Sequence, residues 1–250
     1  MRSIPQVIAR HGDLVVERDP SRPSGRLLRQ NEMDASYVDL ADPSHLEFDY
    51  LRWIRIVLLT ARARRVLHIG GGACALARAL ASADPGGRQE VCEVDAAALA
   101  LAREHLGLRR APGLHVRQVD GRDFVAAQPD ASWDAVVIDA FVGARVPRRL
   151  ITRQAFADVA RLAPLALVNV VDSRSATEVH TIAAGLAEAY GSVWALGRGA
   201  GNTVVVAGVE ELDLDRVRAG TAADPSPARV TGPAELARLV AAAAPLDDLS

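Results

Sequence analysis

From Arg65 onward the chain alternates short apolar runs with longer stretches in which apolar residues recur at about every third or fourth position. The runs 66–69, 90–94, 114–119, 135–138, 165–171, 193–196 and 203–207 have strand length and are rich in valine, leucine and isoleucine. Helical spacing covers 74–83, 96–106, 123–127, 152–162 and 175–190. This alternation predicts an α/β domain: a parallel sheet with crossover helices on both faces. The last two runs are joined through 197–201 with no helix between them, so the sheet is expected to end in an antiparallel hairpin. A mostly parallel, seven-stranded sheet closed this way is a Rossmann-like class I methyltransferase fold rather than a nicotinamide-binding one.

Upstream, the apolar patches at 14–16 and 27–28 are broken by Pro20, Pro23 and Gly25 and predict a small N-terminal β-hairpin module, residues 1–44, read as a hairpin or meander with a loop at 19–25. Asp42-Pro43-Ser44 resembles a helix start. Leu46, Tyr50, Trp53, Ile54, Val57 and Leu58 then share one helical face through Ala61. The main ligand-binding domain is expected over 45–210. Residues 211–250, with Asp224-Pro225-Ser226-Pro227 and a helix over 234–243, read as a peripheral tail.

In an open parallel sheet, ligands sit beyond the carboxyl ends of the strands, near the point where strand order reverses. Four features fall at those ends. Gly70, Gly71 and Gly72 follow the first strand and let the backbone turn sharply and approach a ligand. Glu93 and Asp95 flank the end of the second, where an acid can accept hydrogen bonds from ribose hydroxyls. Asp120-Gly121 ends the third, placed for an adenine amino group, and Asp139 ends the fourth. Each acid also has a structural alternative, as a helix cap or a turn residue. The glycines lack the G-x-G-x-x-G spacing of a dinucleotide site, so the pattern points to an adenosyl sulfonium, a cation that suits an acid-lined site.

Composition narrows the chemistry further. All 29 Lys+Arg residues are arginine, and the absence of lysine excludes Schiff-base chemistry and a P-loop. The formal net charge of -2 gives no electrostatic footprint for nucleic acid or an anionic membrane. No apolar run approaches the roughly 20 residues of a membrane span, and the N-terminus lacks the apolar core of a secretory signal, so a cytoplasmic location is expected. Cys74 and Cys92 are too few for a zinc or disulfide framework, and the six histidines are scattered, so no metal is expected; His68 reads as a packed core residue.

Over roughly 27–208, and most closely in 66–72, 91–95, 119–121 and 134–147, the sequence resembles the spermidine synthase family of aminopropyltransferases, within the S-adenosylmethionine-dependent transferases. The resemblance implies that the glycine loop holds the cofactor, Glu93 binds ribose, Asp120 and Gly121 contact adenine, and Asp139 assists a nucleophilic amine. It also implies a homodimer. Three departures matter. Ala73 replaces the family's aspartate after the glycines, removing an acid that would repel the carboxylate of ordinary S-adenosylmethionine. Asp139-Ala140-Phe141-Val142-Gly143 keeps one acid of the family's two. The polyamine-gripping residues have only Asp34, Asp49 and Tyr50 as counterparts, while Arg145, Arg148 and Arg149 would disfavour a polycation unless they form a solvated surface.

These departures favour methyl transfer to a small-molecule acceptor, oriented or deprotonated by Asp139, over aminopropyl transfer from decarboxylated S-adenosylmethionine. A non-catalytic adenosyl-binding or scaffold protein is the third reading.

Overall fold

A computed structural model of the chain describes residues 5–31, 33–172, 176–199, 201–208 and 212–248. Its N-terminal module is a meander of four antiparallel strands in sequential order: β1 (Gln6–His11), β2 (Leu14–Arg18), β3 (Gly25–Gln30) and β4 (Met33–Asp39). The apolar patches at 14–16 and 27–28 become β2 and β3, and β1 and β4, in which apolar and polar residues are mixed, complete the meander.

Helix α1 (Asp49–Thr60) follows, and it starts later than the sequence pattern suggested. The cause is local: Asp42 Oδ1 accepts from the Ser44 amide at 2.9 Å and the Ser44 hydroxyl at 2.6 Å, so its side chain closes a turn instead of capping a helix. From Asp49 on, Tyr50, Leu51, Trp53, Ile54, Val57 and Leu58 are buried as one face. Trp53 is fully enclosed, and burial of an aromatic or aliphatic side chain of this kind contributes about 2 kcal/mol.

The main sheet then builds as expected. In chain order it comprises β5 (Arg65–Ile69), α2 (Ala75–Ala83), β6 (Arg88–Glu93), α3 (Ala96–His105), β7 (Leu114–Gln118), α4 (Gly121–Ala126), β8 (Ala135–Ile138), a 3-10 turn (Arg148–Leu150), α5 (Arg153–Leu162), β9 (Leu165–Asp172), α6 (Thr177–Tyr190), β10 (Val193–Gly197) and β11 (Gly201–Gly208). Ser175, taken from the pattern as the first residue of α6, lies outside the described residues. Strands β5 to β9 pair in parallel, and β11 lies antiparallel between β9 and β10.

Beyond residue 211 the chain contributes more than the single helix the sequence indicated. Helix α7 (Leu214–Ala222) packs on α1, and β12 (Arg229–Thr231) adds an eighth, edge strand beside β10 before α8 (Pro233–Val240). Arg52 grips Asp224 through Nε and Nη2, at 2.9 and 3.1 Å, and the Trp53 indole donates to the Ser226 carbonyl at 2.9 Å. The expected peripheral tail is thus tied to the helix that borders the site. The strand order, β12-β10-β11-β9-β8-β5-β6-β7, reverses direction at β5, which neighbours β6 on one side and β8 on the other. That is the switch point where a ligand crevice opens.

Candidate functional site

The crevice is a cavity of about 880 Å³ over the carboxyl ends of β5, β6 and β8, roofed by β4 and the start of α1. It is lined by Gly70, Gly71, Gly72, Glu93, Asp95, Asp120, Gly121 and Asp139, so the structure brings every candidate residue to one place.

The glycines are fixed by close packing. Gly70 has φ +85°, and a Cβ there would lie 2.3 Å from the Asp139 carbonyl oxygen; a Cβ on Gly71 would lie 2.5 Å from Val91 Cγ1. Only glycine lets the β5 loop touch the end of β8 this closely. Gly121 serves the frame too, since a Cβ would meet Ile69 Cγ2 at 2.3 Å.

Glu93 holds the loop. Its Oε2 accepts from the amides of Gly71 and Gly72, both at 2.9 Å, and its Oε1 accepts from the Asp95 amide at 2.9 Å. Three of about four acceptor positions of the carboxylate are therefore used, and the fourth, on Oε1, is left for a ligand hydroxyl. Asp95 fills its structural alternative: its Oδ1 caps α3 by accepting from Ala97 and Ala98. Asp120 divides its oxygens. Oδ1 caps α4 through the Arg122 and Asp123 amides, while Oδ2 receives Arg149 Nη1 at 2.8 Å.

Asp139 lies deepest. Tyr50 donates its hydroxyl to Oδ2 at 3.1 Å and Asn169 donates Nδ2 to Oδ1 at 2.9 Å. Burial raises the Asp139 carboxyl above the ordinary aspartate value, and the two hydrogen bonds partly offset that rise. Burial, with Asp139 alongside, also drives the Tyr50 phenol well above its usual range, so it stays a proton donor. The Asn169 Oδ1 is buried without a partner.

Sequence reasoning had Tyr50 only as an uncertain acceptor contact, and it missed Asn169. The available signal was a lone polar residue in the apolar run Leu-Val-Asn-Val-Val. It also missed Ser36, whose Oγ accepts from the Ala73 amide at 3.2 Å. Ala73 itself is wholly buried. Among the three loop arginines, Arg149 borders the cavity but is bridged to Asp120 and Asp123, which leaves it no unpaired charge to repel a cation. Arg52, in the same wall, is neutralised by Asp224.

Both cysteines are buried, and burial pushes their thiols up to about 12, which keeps them protonated. His68 is buried against Gln89 Oε1 at 3.0 Å and depressed to about 4 by desolvation, which keeps it neutral. Among the described residues no group of three His, Cys, Asp or Glu is placed to hold a metal ion, and no helix is long and apolar enough to cross a membrane.

Known proteins share parts of this sequence and its fold. Residues 52–156 match the family model described as methyltransferase small domain. A polyamine aminopropyltransferase of Vibrio vulnificus is 24% identical over 147 residues, covering 58% of this chain and 49% of that protein, so the match spans about half the relative's length. The crystal structure of a probable spermidine synthase from Corynebacterium glutamicum superposes with a TM-score of 0.86 at 26% identity, covering 98% of this chain and 97% of the other. A spermidine synthase in complex with the transition state analogue AdoDATO shares the fold at TM-score 0.66 and 16% identity, over 84% of this chain and 76% of that one.

Proposed function

We propose that this chain, spermidine synthase-like in family and fold among the S-adenosylmethionine-dependent transferases, transfers the aminopropyl group of decarboxylated S-adenosylmethionine to a small amine. The observation that carries the reading is Asp139, held by Tyr50 and Asn169 at the base of a cavity whose other carboxylates include Asp34, Glu47, Asp49, Glu93 and Asp120. The two arginines that reach this wall, Arg52 and Arg149, are both ion-paired. Such a lining favours a doubly cationic donor and a cationic acceptor, and it disfavours the carboxylate of ordinary S-adenosylmethionine.

The cavity fits the donor in parts. The glycine loop borders the cavity, Glu93 Oε1 retains an acceptor position for a ribose hydroxyl, and Val94, 67% exposed beside it, offers an apolar surface to a base. When bound, the sulfonium supplies an electrophilic carbon and a neutral thioether leaving group. Asp139 accepts the proton that the acceptor nitrogen sheds as its lone pair forms the new C–N bond and the C–S bond breaks. Its raised proton affinity suits that role. Tyr50 and Asn169 each fix one oxygen, so the carboxylate presents a single orientation.

Methyl transfer is the second reading, favoured by Ala73, which leaves no acid beside the glycine loop. Titrating the protein with S-adenosylmethionine, its decarboxylated form and methylthioadenosine, then identifying products with diamines by mass spectrometry, decides between them. Preference for the carboxylated donor with methylated products would overturn aminopropyl transfer. Tight binding with no product would favour the scaffold. The proposal also takes the protein to be cytoplasmic and homodimeric, which light scattering of the purified chain tests for the second part.

A further inference from the structure

Asp139 differs from the other carboxylates of its wall in what holds it. Its two side-chain partners, Tyr50 and Asn169, are uncharged. The lining carboxylates of β4 and of the entry to α1 each face a basic side chain instead: Asp34 Oδ1 lies 3.2 Å from Arg29 Nε, Glu47 Oε2 2.9 Å from His45 Nε2, and Asp49 Oδ2 3.7 Å from Arg198 Nη1. Asp49 Oδ1 also accepts from the Tyr50 amide at 2.8 Å. An ammonium arriving at Asp34, Glu47 or Asp49 therefore meets a basic group already in place.

The surface beside Asp139 is apolar. Ala140, Phe141, Val142 and Gly143 follow it along the cavity and bring no second acid. Val142 is 75% exposed, and Phe141 is half-buried. Val171 stands two residues beyond Asn169 on the same face of β9 and is 39% exposed. Large apolar side chains left open within a cavity are surface that the apolar part of a ligand covers.

We infer that the acceptor is a monoamine: one amino group, placed at Asp139, on an apolar alkyl or aryl body that lies along Phe141, Val142 and Val171. This rests on the aminopropyl-transfer reading above and narrows its small amine to one class. The amine nitrogen forms the new C–N bond as the C–S bond breaks, methylthioadenosine departs, and Asp139 takes the proton. The far end of the acceptor has no part in these changes and needs only a surface that fits it. A diamine of equal length would set its second ammonium against Val142 and Val171, where a cation loses hydration and gains no counter-charge.

The test is steady-state kinetics of the full chain with length-matched acceptors, 1,4-diaminobutane against n-pentylamine and 1,5-diaminopentane against n-hexylamine. Each pair is run with decarboxylated and with ordinary S-adenosylmethionine. The monoamine of each pair should show kcat/KM about tenfold higher or more, the scale of one cation left without a partner. Each methylene added from n-butylamine to n-hexylamine should raise kcat/KM about two- to fourfold, as apolar burial of a methylene does. Val142→Asp places a carboxylate on this wall and should shift the monoamine-to-diamine ratio about tenfold toward the diamine. Val142 is exposed, so the variant is expected to fold, and equal melting temperatures establish it. A diamine preference in the wild-type protein overturns the inference and leaves aminopropyl transfer standing. An unchanged ratio in Val142→Asp overturns the assignment of the apolar body to this wall. Methylated amines formed from ordinary S-adenosylmethionine overturn the donor reading, while the same ratio still decides between monoamine and diamine. No product from any pair overturns both.

Discussion

The Tyr50 hydroxyl donates to Asp139 Oδ2 at 3.1 Å, joining the first turn of α1 to the tip of β8 across 89 residues of chain. Two elements with separate sequence signals meet there, and neither signal announces the other. Tyr50 belongs to the apolar face of α1, and its ring packs against Phe48 with centroids 6.0 Å apart, so its packing reads as core while its hydroxyl reaches the site.

This contact predicts a pair of effects. Asp139→Asn should lower turnover about 10²-fold or more while methylthioadenosine affinity stays within about threefold, because the proposed reaction uses this residue for the acceptor's proton. Tyr50→Phe removes a donor to the ionised carboxylate, so the Asp139 carboxyl should rise further and the acid limb of the pH–rate profile should move to higher pH. A profile that does not move, or that moves to lower pH, would separate Tyr50 from the proton-handling group.

Glu93 predicts a different phenotype. Its Oε2 binds two loop amides, so Glu93→Gln should reduce both cofactor affinity and melting temperature, whereas Asp139→Asn should leave melting nearly unchanged. Hydrogen bonds to a charged acceptor contribute about 1.5–3 kcal/mol each, and a neutral amide retains part of that. Paired titration and thermal melts of the two variants check the contrast; a Glu93→Gln protein with wild-type melting would mean the loop is held by other contacts.

Two glycines in the same region should behave oppositely on substitution. Gly70→Ala forces a side chain into a left-handed conformation and into the Asp139 carbonyl, at a cost of roughly 3 kcal/mol or more. Gly143 also has positive φ, at +62°, but has nothing within 4 Å of its Cβ position, so Gly143→Ala should cost only the conformational strain of about 1 kcal/mol. Urea unfolding of both variants measures the difference; equal losses would show that packing against Asp139 is not what holds Gly70.

Much of this was legible because the relevant signals are local. Residues 66–72 carry a buried strand and its glycines in seven consecutive positions, and the acids at 93, 120 and 139 each end an apolar run. What escaped was set by tertiary pairing. Asn169 is one polar residue in β9 and acquires its role only because β9 lies beside β8. Arg149 looked like surface charge, and its partner Asp120 lies 29 residues upstream. β12 is three residues long and too polar to register as a strand until β10 offers it an edge. The late start of α1 reflects a competition that Asp42 resolves by bonding to Ser44, and apolar spacing alone does not report such competition.

The last prediction concerns stability. His68 lies in the middle of the sheet, 4% exposed, with its ring facing Gln89 and its proton affinity depressed to about 4 by burial. In the unfolded chain a histidine titrates near 6.5, so between those values the unfolded state binds the extra proton and the folded state does not. Stability should therefore rise with pH through this window, and the contribution should be lost as pH falls from about 6.5 toward about 4. At about pH 5 the loss from this one side chain is about 2 kcal/mol relative to about pH 7.5. Chemical denaturation of the wild-type protein and of His68→Gln at both pH values isolates the effect, since the variant should lack this increment even if it is less stable throughout. An identical pH dependence in the two proteins would mean that His68 is not the group that charges on unfolding.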